Sequence, residues 1–288
     1  MTAARAWVAT LLAALLAAAP AIAAPPQTPA PGPLRVIGLG AGCIAGAERL
    51  PDTAPGLQTI RSSHSSFWGA PTSIAALLLL GQRARAAGLP DIYVGDLSGP
   101  RGGPLRGGHV SHQRGLDADV WLDVSAPHPV LPVAARDTLD PPSLVRPDGR
   151  AVDPQRWRPG IATLLRLATG LPGVDRVLVN PAIKRQLCQT VTGDRAWLRL
   201  IRPWYGHSAH MHISFQCPPG QPECRQLPPP PPGDGCDASL QWWFDQMDAP
   251  PRPPGKPKPP PKLPAACLAI MAAPPAPTAL PTTTSARR

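Results

Sequence analysis

The chain has 288 residues, among them 44 prolines and 26 glycines, and a formal net charge of +10 at pH 7. This length can bury one sizeable core or two small ones, and the proline and glycine content indicates that much of the chain lies in loops. The positive charge fits an anionic partner such as a nucleic acid, a membrane surface or the cell wall, but a basic solvated surface fits it equally well.

The first 23 residues have the pattern of a signal peptide. Arg5 precedes an apolar run that extends to about Ala19, and the small-residue triplet Ala21-Ile22-Ala23 follows. The run is shorter than the ~20 apolar residues that a membrane span needs, and a cleavage pattern rather than charge follows it, so we expect cleavage near Ala23. No later segment is apolar for long enough to span a membrane. An exported, soluble chain is the expectation, which argues against nucleic acid as the partner.

Two proline-rich segments border the predicted folded part. Residues 24–33 are Pro/Ala-rich and predicted to be mobile, whereas residues 249–264 are predicted to be extended and polyproline-like, within a basic C-terminal region at 249–288. Residues 34–248 form the predicted main domain. Patterns along it predict helices at 73–87, 161–168 and 182–188 and strands at 91–97 and 176–179.

Strands and helices are mixed without a regular alternation, which favours an α+β fold over a doubly wound sheet. We expect a central antiparallel sheet, flanked by helices and by long Pro/Gly-rich loops. The even number of cysteines, six, indicates disulfides in an exported chain, and no C-x-x-C pair suggests a cysteine zinc site. Chain proximity by itself supports only one pairing, Cys217 with Cys224.

Five of the seven histidines fall in two short segments, residues 107–123 and 204–215. In the first, apolar residues at even positions from Leu116 to Leu122 alternate with polar or aromatic ones, which predicts a strand with one buried face. Asp117 and Asp119 then project on the same side, and His109 and His112 precede the strand in a Gly-rich turn. This arrangement could present imidazoles beside carboxylates.

The second segment predicts another strand, on which His210 and His212 share one face. One of this pair could bind a metal ion directly while the other stands beside the reacting water. The only glutamates, Glu48 and Glu223, are far from any histidine in sequence, so the H-E-x-x-H helix is absent and a histidine is the expected general base.

Competing sites lack their sequence patterns. A serine triad on a nucleophile elbow needs G-x-S-x-G, which does not occur, and the glycines at 38–42 lack the lysine of a phosphate loop, so they are predicted to form a turn. His64 and His128 have no clustered histidine or aspartate neighbours and are expected to be ordinary surface or core residues.

Four motifs together resemble those of the penicillin-insensitive murein endopeptidases, a family of bacterial zinc peptidases. They are GGHVSHQRGLDAD, VNPAIKRQLC, RPWYGHSAHMHISFQC and PPPPPGDGC, and the resemblance covers roughly residues 34–270. It implies that Zn²⁺ is bound by His112, Asp119 and His212, which selects Asp119 over Asp117. It also implies that His210 is the general base and that His207 is a second imidazole near the substrate oxyanion.

The resemblance has further implications. His109 and Asp148 match positions associated with additional metal binding, but Ala151 stands where a histidine is expected, which argues against a second metal site. The implied disulfides are Cys43–Cys267, Cys188–Cys236 and Cys217–Cys224.

The function implied by the resemblance is hydrolysis of the D-alanyl to meso-diaminopimelyl cross-link of peptidoglycan in the periplasm, without sensitivity to β-lactams. One alternative is a D,D- or L,D-carboxypeptidase that trims uncross-linked stem peptides. Another is a wall-binding zinc protein without turnover, which the basic surface and proline-rich tail would suit. The sequence leaves open whether the protein forms a homodimer.

Overall fold

The computed structural model describes residues 28–105, 110–125, 127–250 and 262–275. The predicted signal peptide, His109 and most of the proline-rich segment at 249–264 lie outside these ranges. The strands are β1 (Arg35–Gly38), β2 (Gly42–Ala45), β3 (Glu48–Arg49), β4 (Thr53–Ala54), β5 (Leu57–Thr59), β6 (Trp68–Gly69), β7 (Ile92–Val94), β8 (Asp117–Trp121), β9 (Val174–Val179), β10 (Ile201–Pro203) and β11 (His210–Phe215). The helices are α1 (Pro71–Ala86), α2 (Val133–Asp137), α3 (Pro159–Thr169), α4 (Pro181–Thr190), α5 (Ala238–Asp248) and α6 (Cys267–Ala272).

Seven strands form the main sheet, in the order β10-β9-β11-β8-β7-β5-β4. Its centre, from β9 through β11 and β8 to β7, is antiparallel. Two short antiparallel pairs, β1 with β2 and β3 with β6, lie outside it. Sheets and helices that follow one another without a repeating βαβ order confirm the α+β class.

The expectation of an antiparallel sheet was wrong for the flanks, because the main sheet is mixed. Strand β10 pairs with β9, and β5 with β7, in parallel. Parallel neighbours need a crossover connection, and the chain provides one in each case, through α4 between β9 and β10 and through α1 between β5 and β7.

Three helices begin at a proline, namely α1 at Pro71, α3 at Pro159 and α4 at Pro181. Proline suits the first helical position because its fixed φ is helical and its missing N–H has no partner there in any case. These helices therefore begin one or two residues before the predicted ones. The predicted strand at 91–97 is shorter, since only Ile92–Val94 pair within it.

The alternation of apolar and polar residues along β8 places them on opposite faces of the strand, as predicted. Ala118 and Val120 point into the main core, which lies between the sheet and helices α1, α3 and α4, while Asp117, Asp119 and Trp121 point to the other face. All five residues are buried, so β8 is covered on both faces. The polar residues of β8 are thus held below the surface rather than in open solvent.

Three disulfides join Cys43 to Cys267, Cys188 to Cys236 and Cys217 to Cys224, the same pairs that the resemblance implies. The first attaches α6 to β2, and Ile37, Ala45 and Ile270 complete a small apolar cluster around it. The second joins α4 to Cys236, two residues before the start of α5. Within the described ranges, no helix is both long and apolar enough to cross a membrane.

Candidate metal centre

Two central strands place an aspartate beside a histidine. In the antiparallel pair β8–β11, Asp119 lies opposite His212 and Asp117 lies opposite Ser214. Facing residues in such a pair have their Cβ atoms about 5 Å apart, so their side chains meet on the same face of the sheet. Asp119 and His212 are each only 3% exposed.

His112 reaches the same place from the turn before β8. Its backbone is left-handed, with φ of 59°, and its side chain is 2% exposed. Nδ1 of His112 lies 2.9 Å from the carbonyl oxygen of Leu97 and donates to it, so that Nε2 carries the lone pair. That lone pair points at Asp119 and His212.

The three side chains present their ligand atoms at mutual distances that suit a single ion. His112 Nε2 lies 3.0 Å from His212 Nδ1. Asp119 Oδ1 lies 3.0 Å from His212 Nδ1 and 3.4 Å from His112 Nε2. Four ligands at about 2.1 Å around a tetrahedral zinc ion are roughly 3.4 Å from one another. The group could therefore hold a metal ion, and its donor set of two imidazoles and a carboxylate suits zinc.

Asp117 occupies a different position from Asp119. Its Oδ1 accepts from His212 Nε2 at 3.1 Å and from the Ser214 hydroxyl at 2.9 Å. A proton on Nε2 leaves Nδ1 of His212 free as a ligand atom on the side of His112 and Asp119. This is the carboxylate–histidine arrangement that commonly orients a metal-binding imidazole.

The charges of this cluster favour a cation. Burial opposes a charged His212, but the hydrogen bonds and charges of Asp117 and Asp119 outweigh burial and raise the pKa of His212 to about 10. Burial likewise opposes charge on the two carboxyls, but the neighbouring histidines, chiefly His212 for Asp117 and His112 for Asp119, lower the pKa of both well below its usual range. Two buried carboxylates thus remain charged and need positive charge between them, which a proton or a metal ion can supply.

Two more histidines border the cluster. The ring of His210 contacts that of Trp121, and its Nε2 is 3.7 Å from Asp119 Oδ2. The ring centroid of His207 lies 5.1 Å from that of His210 and 5.8 Å from that of His212. Burial, followed by the nearby histidines, lowers the pKa of His207 to about 4, and burial lowers the pKa of His210 as well. Both rings are therefore neutral near pH 7 and able to accept a proton.

The four histidines and two aspartates of this cluster all line one groove with a volume of about 850 Å³. Trp204 and Trp243 form part of its wall, with ring centroids 5.8 Å apart, and Leu39 and Gly40 from the turn between β1 and β2 contribute to its rim. The glycines at 38–42 thus form a hairpin turn beside the groove.

The remaining candidates lie elsewhere. Asp148 is exposed, and its carboxylate accepts from the backbone N–H of Arg150 at 2.9 Å, in a turn that does not line the groove. His109 lies outside the described residues. His64 contacts Asp96, and His128 contacts Asp91 and Asp123 away from the groove.

Sequence reasoning missed one residue that positions the site. The side chain of Asn180 accepts from Ala182 N–H at the start of α4 and donates to the Gly206 carbonyl at 2.9 Å, while its backbone N–H donates to the His207 carbonyl. Asn180 thus ties the turn that carries His207 to the end of a helix. The sequence signal available for it was the Asn-Pro pair that starts α4.

The fold and the groove define an α+β protein with a buried His-Asp-His group that could bind a single metal ion. The chain belongs to the penicillin-insensitive murein endopeptidase family, whose model matches residues 36–272. It is 42% identical over 267 residues to the penicillin-insensitive murein endopeptidase of Klebsiella pneumoniae subsp. pneumoniae, an alignment that covers 90% of this chain and 96% of the relative. The Salmonella heidelberg protein of the same name is 42% identical over 250 residues, which are 84% of this chain and 88% of that relative. The resemblance seen in the sequence motifs is confirmed.

Proposed function

We propose that the protein is a zinc-dependent endopeptidase that hydrolyses the D-alanyl to meso-diaminopimelyl cross-link of peptidoglycan. The observation that carries this proposal is the buried group of His112, Asp119 and His212, beside two neutral histidines in one groove. Membership of a family described as murein endopeptidases supports peptidoglycan as the substrate. Three disulfides suit an oxidising compartment outside the cytoplasm, and we place the enzyme in the periplasm.

In this proposal His112, Asp119 and His212 hold the zinc ion. When bound, zinc would polarise the scissile carbonyl and lower the pKa of a water molecule towards ~7. Asp117 orients His212 by accepting from its Nε2, and the Leu97 carbonyl orients His112 by accepting from its Nδ1. The protein's own contribution is thus a rigid set of ligand atoms on two paired strands and one turn.

His210 is assigned as the general base. Its ring is neutral near pH 7, and its Nε2 is 3.7 Å from the Asp119 carboxylate, so it stands directly beside the ligand atoms. A neutral imidazole in this position can take the proton of the attacking water and return it to the leaving amine. His207, whose ring centroid lies 5.1 Å from that of His210, is assigned to the oxyanion that develops on the scissile carbonyl.

The nucleophile in this scheme is water rather than a serine. β-Lactams inactivate their targets by acylating a serine, so we expect benzylpenicillin to leave the activity unchanged. Of the alternatives, a carboxypeptidase would shorten uncross-linked stem peptides, and a wall-binding zinc protein would turn over no substrate.

The test is digestion of purified cross-linked muropeptide dimers with zinc-loaded protein, with products separated by mass. We expect dimers to become monomers, with His210→Ala reducing kcat roughly 10²- to 10⁴-fold while the zinc content stays at one per chain. Monomeric pentapeptide stems serve as the control, because their shortening without loss of dimers would indicate a carboxypeptidase. Dimers that persist with zinc bound would contradict the proposal. Metal analysis of the same sample checks that the ion is zinc.

A further inference from the structure

The groove contains a second polar feature, on the edge strand β10. Arg202 lies on β10, the edge strand of the main sheet, opposite Leu178 of β9, and Leu178 lies opposite His212 of β11. Arg202, His212 and Asp119 therefore belong to one row across the sheet. Adjacent strands are about 4.8 Å apart, which puts the Cα atom of Arg202 about 10 Å from that of His212. Its side chain lines the same groove as the histidines.

Arg202 is half-buried, yet no hydrogen bond or ion pair joins its guanidinium to another residue in the described ranges. Nearby carboxylates are already engaged. Asp175 pairs with Arg176 at 2.6 Å, Asp234 pairs with Arg195 at 2.7 Å, and Asp237 accepts from Ser239 N–H at the start of α5. A guanidinium in this environment loses hydration without gaining an anion in return.

The closest charges around Arg202 are predominantly positive. Burial, followed by the charge of Arg176, lowers the pKa of Arg202, against a weaker opposing contribution from Asp237. Lys184 of α4 is fully buried, and its ammonium donates to the carbonyls of Leu198 and Asp234. A Cβ atom at Gly235 would lie 2.9 Å from the Arg202 guanidinium and 3.6 Å from the Lys184 ammonium. The absent side chain of Gly235 thus leaves space for the Arg202 guanidinium beside the Lys184 amine, and burial, followed by the charge of Arg202, lowers the pKa of Lys184 to about 7.

This part of the groove attracts anions for a structural reason. The half-buried Arg202 guanidinium lacks a carboxylate partner among the described residues, Arg176 lines the same groove, and a charge withdrawn from open water interacts more strongly with an anion. A guanidinium presents a planar fork of donors that matches a carboxylate in two parallel hydrogen bonds. The anion that the site can accommodate must come from a ligand in the groove.

We propose that Arg202 binds a carboxylate group of the cross-linked stem peptides and thereby sets which peptide enters the groove. The inference rests on the proposed function, since that substrate carries the required group close to the bond that is cut. Meso-diaminopimelate has a free carboxylate on the carbon next to the scissile nitrogen. The acceptor stem ends in a second carboxylate. Both are offered by the same substrate, and the experiment distinguishes them.

The test uses three dimers: the unmodified one, one with the diaminopimelate carboxylate converted to a carboxamide, and one with the terminal carboxylate so converted. For the wild type we expect kcat/KM to fall about 10- to 100-fold on one of the two amides, mainly through KM, because a charge-assisted pair is lost. On the unmodified dimer, kcat/KM of Arg202→Met should be as low as that of the wild type on the discriminated amide. On that amide, the substitution should lower kcat/KM little further. Arg202→Lys, which keeps the charge without the fork, should be intermediate.

Arg158→Met is the matched control, since Arg158 is exposed and outside the groove. It removes the same charge and should leave all three kcat/KM values unchanged. Arg202→Met should also unfold at the same temperature as the wild type or higher, because it relieves repulsion with Lys184 and Arg176. The proposal is overturned if Arg202→Met lowers kcat/KM equally on all three dimers, or if the wild type does not distinguish them.

Failure of the proposed function gives a different result. If the wild type cleaves none of the dimers, that function is wrong, and calorimetric binding of the same three dimers still decides the role of Arg202. Weaker binding of one amide by the wild type, lost in Arg202→Met, supports the carboxylate site. Equal affinity for all three overturns it.

Discussion

His112 and His207 both have a left-handed backbone, with φ of 59° and 48°. Residues with a Cβ atom rarely adopt this conformation, which costs roughly 1–2 kcal/mol. Both are site histidines held in turns, His112 before β8 and His207 after β10. The neighbouring hydrogen bonds to Leu97 and Asn180 supply the support that these conformations need. Two of the four non-glycine residues with a positive φ in the described ranges are thus site histidines, and the other two, Arg61 and Ser65, flank a short 3-10 turn.

A substitution pair at His207 measures this strain. His207→Gly and His207→Ala remove the same imidazole, but glycine adopts a positive φ without penalty and alanine does not. We expect His207→Gly to be about 1 kcal/mol more stable than His207→Ala in urea unfolding, although both lose the imidazole and with it catalytic activity. Equal stability of the two variants would show that the backbone at this position is not strained.

The contact between Asp117 and His212 predicts an effect on metal affinity. Asp117→Asn keeps the shape of the side chain but removes the negative charge that orients and polarises His212. We expect zinc affinity, measured by competition with a chromophoric chelator, to fall about 10- to 100-fold, as is typical when such a partner is changed. Ser214→Ala, which removes only the hydroxyl that donates to Asp117, is the control and should have a smaller effect. Unchanged affinity in Asp117→Asn would contradict the orienting role.

His128 gives a pH-dependent prediction away from the groove. Burial acts to lower its pKa, but the Asp123 carboxylate and the Asp91 carbonyl, which face it together with the stacked Tyr93 ring, raise the pKa overall. A folded-state pKa above the unfolded value means that the charged histidine stabilises the fold below about pH 6.5, and that this stabilisation is lost as pH rises through the folded-state pKa.

The substitution His128→Gln should therefore lower the free energy of unfolding by about 1 kcal/mol more at about pH 5.5 than at about pH 9. Urea unfolding of the wild type and the variant at both pH values measures this difference. Asp123, whose pKa the contact with His128 lowers, remains charged at both pH values, so the change reports on His128. An equal cost at the two pH values would refute the prediction.

At the scale of elements, strand pairing decides which polar residues meet. The period of two predicted that Asp117 and Asp119 share a face, and that His210 and His212 do. Which aspartate faces His212 as a potential ligand depends on the register of β8 against β11, where Asp119 is opposite His212. A shift by two residues would place Asp117 there instead, and nothing within either strand distinguishes the two registers.

Helix α4 connects the sheet to the turn that carries His207, through Asn180. Asn180→Ala removes the helix cap and should cost about 1 kcal/mol of stability. Asn180→Asp keeps the oxygen that accepts from Ala182 N–H but loses the donor to Gly206, so we expect near wild-type stability with reduced kcat/KM on muropeptide dimers. Urea unfolding and the dimer assay measure the two effects separately. Full activity in Asn180→Asp would show that the turn is held without the Gly206 contact.

For the whole molecule, the disulfides differ most in the length of chain that they close. Cys43–Cys267 spans 224 residues and Cys217–Cys224 spans 7. Replacing both cysteines by alanine should cost about 5 kcal/mol for the long loop and about 2–3 kcal/mol for the short one, in the chain-entropy model. Denaturant unfolding of the two double variants measures which of them loses more stability. A larger loss for Cys217–Cys224 would mean that local packing rather than chain entropy governs the stabilisation.

The α+β class, the approximate positions of α1, α3, α4, β8, β9 and β11, and the concentration of histidines and aspartates on two strands were all readable from the sequence. These features depend on residues that are near neighbours along the chain, so their pattern is visible locally. Resemblance to a family added the disulfide pairs and the choice of Asp119, and the metal and catalytic roles of these residues remain predictions.

Only the tertiary structure decided the features that depend on distant segments. The parallel flanks of the sheet arise from crossovers through α1 and α4, whose packing no local pattern specifies. Asp117 lies behind His212 because β8 and β11 pair in one register, although about ninety residues separate them in the chain. Within the part of the chain that the structure describes, Arg202 has no carboxylate partner, because Asp175, Asp234 and Asp237 are engaged elsewhere. This is a property of the assembled groove rather than of β10. The sequence by itself determined which residues could take part in the chemistry, and long-range strand pairing determined which of them meet.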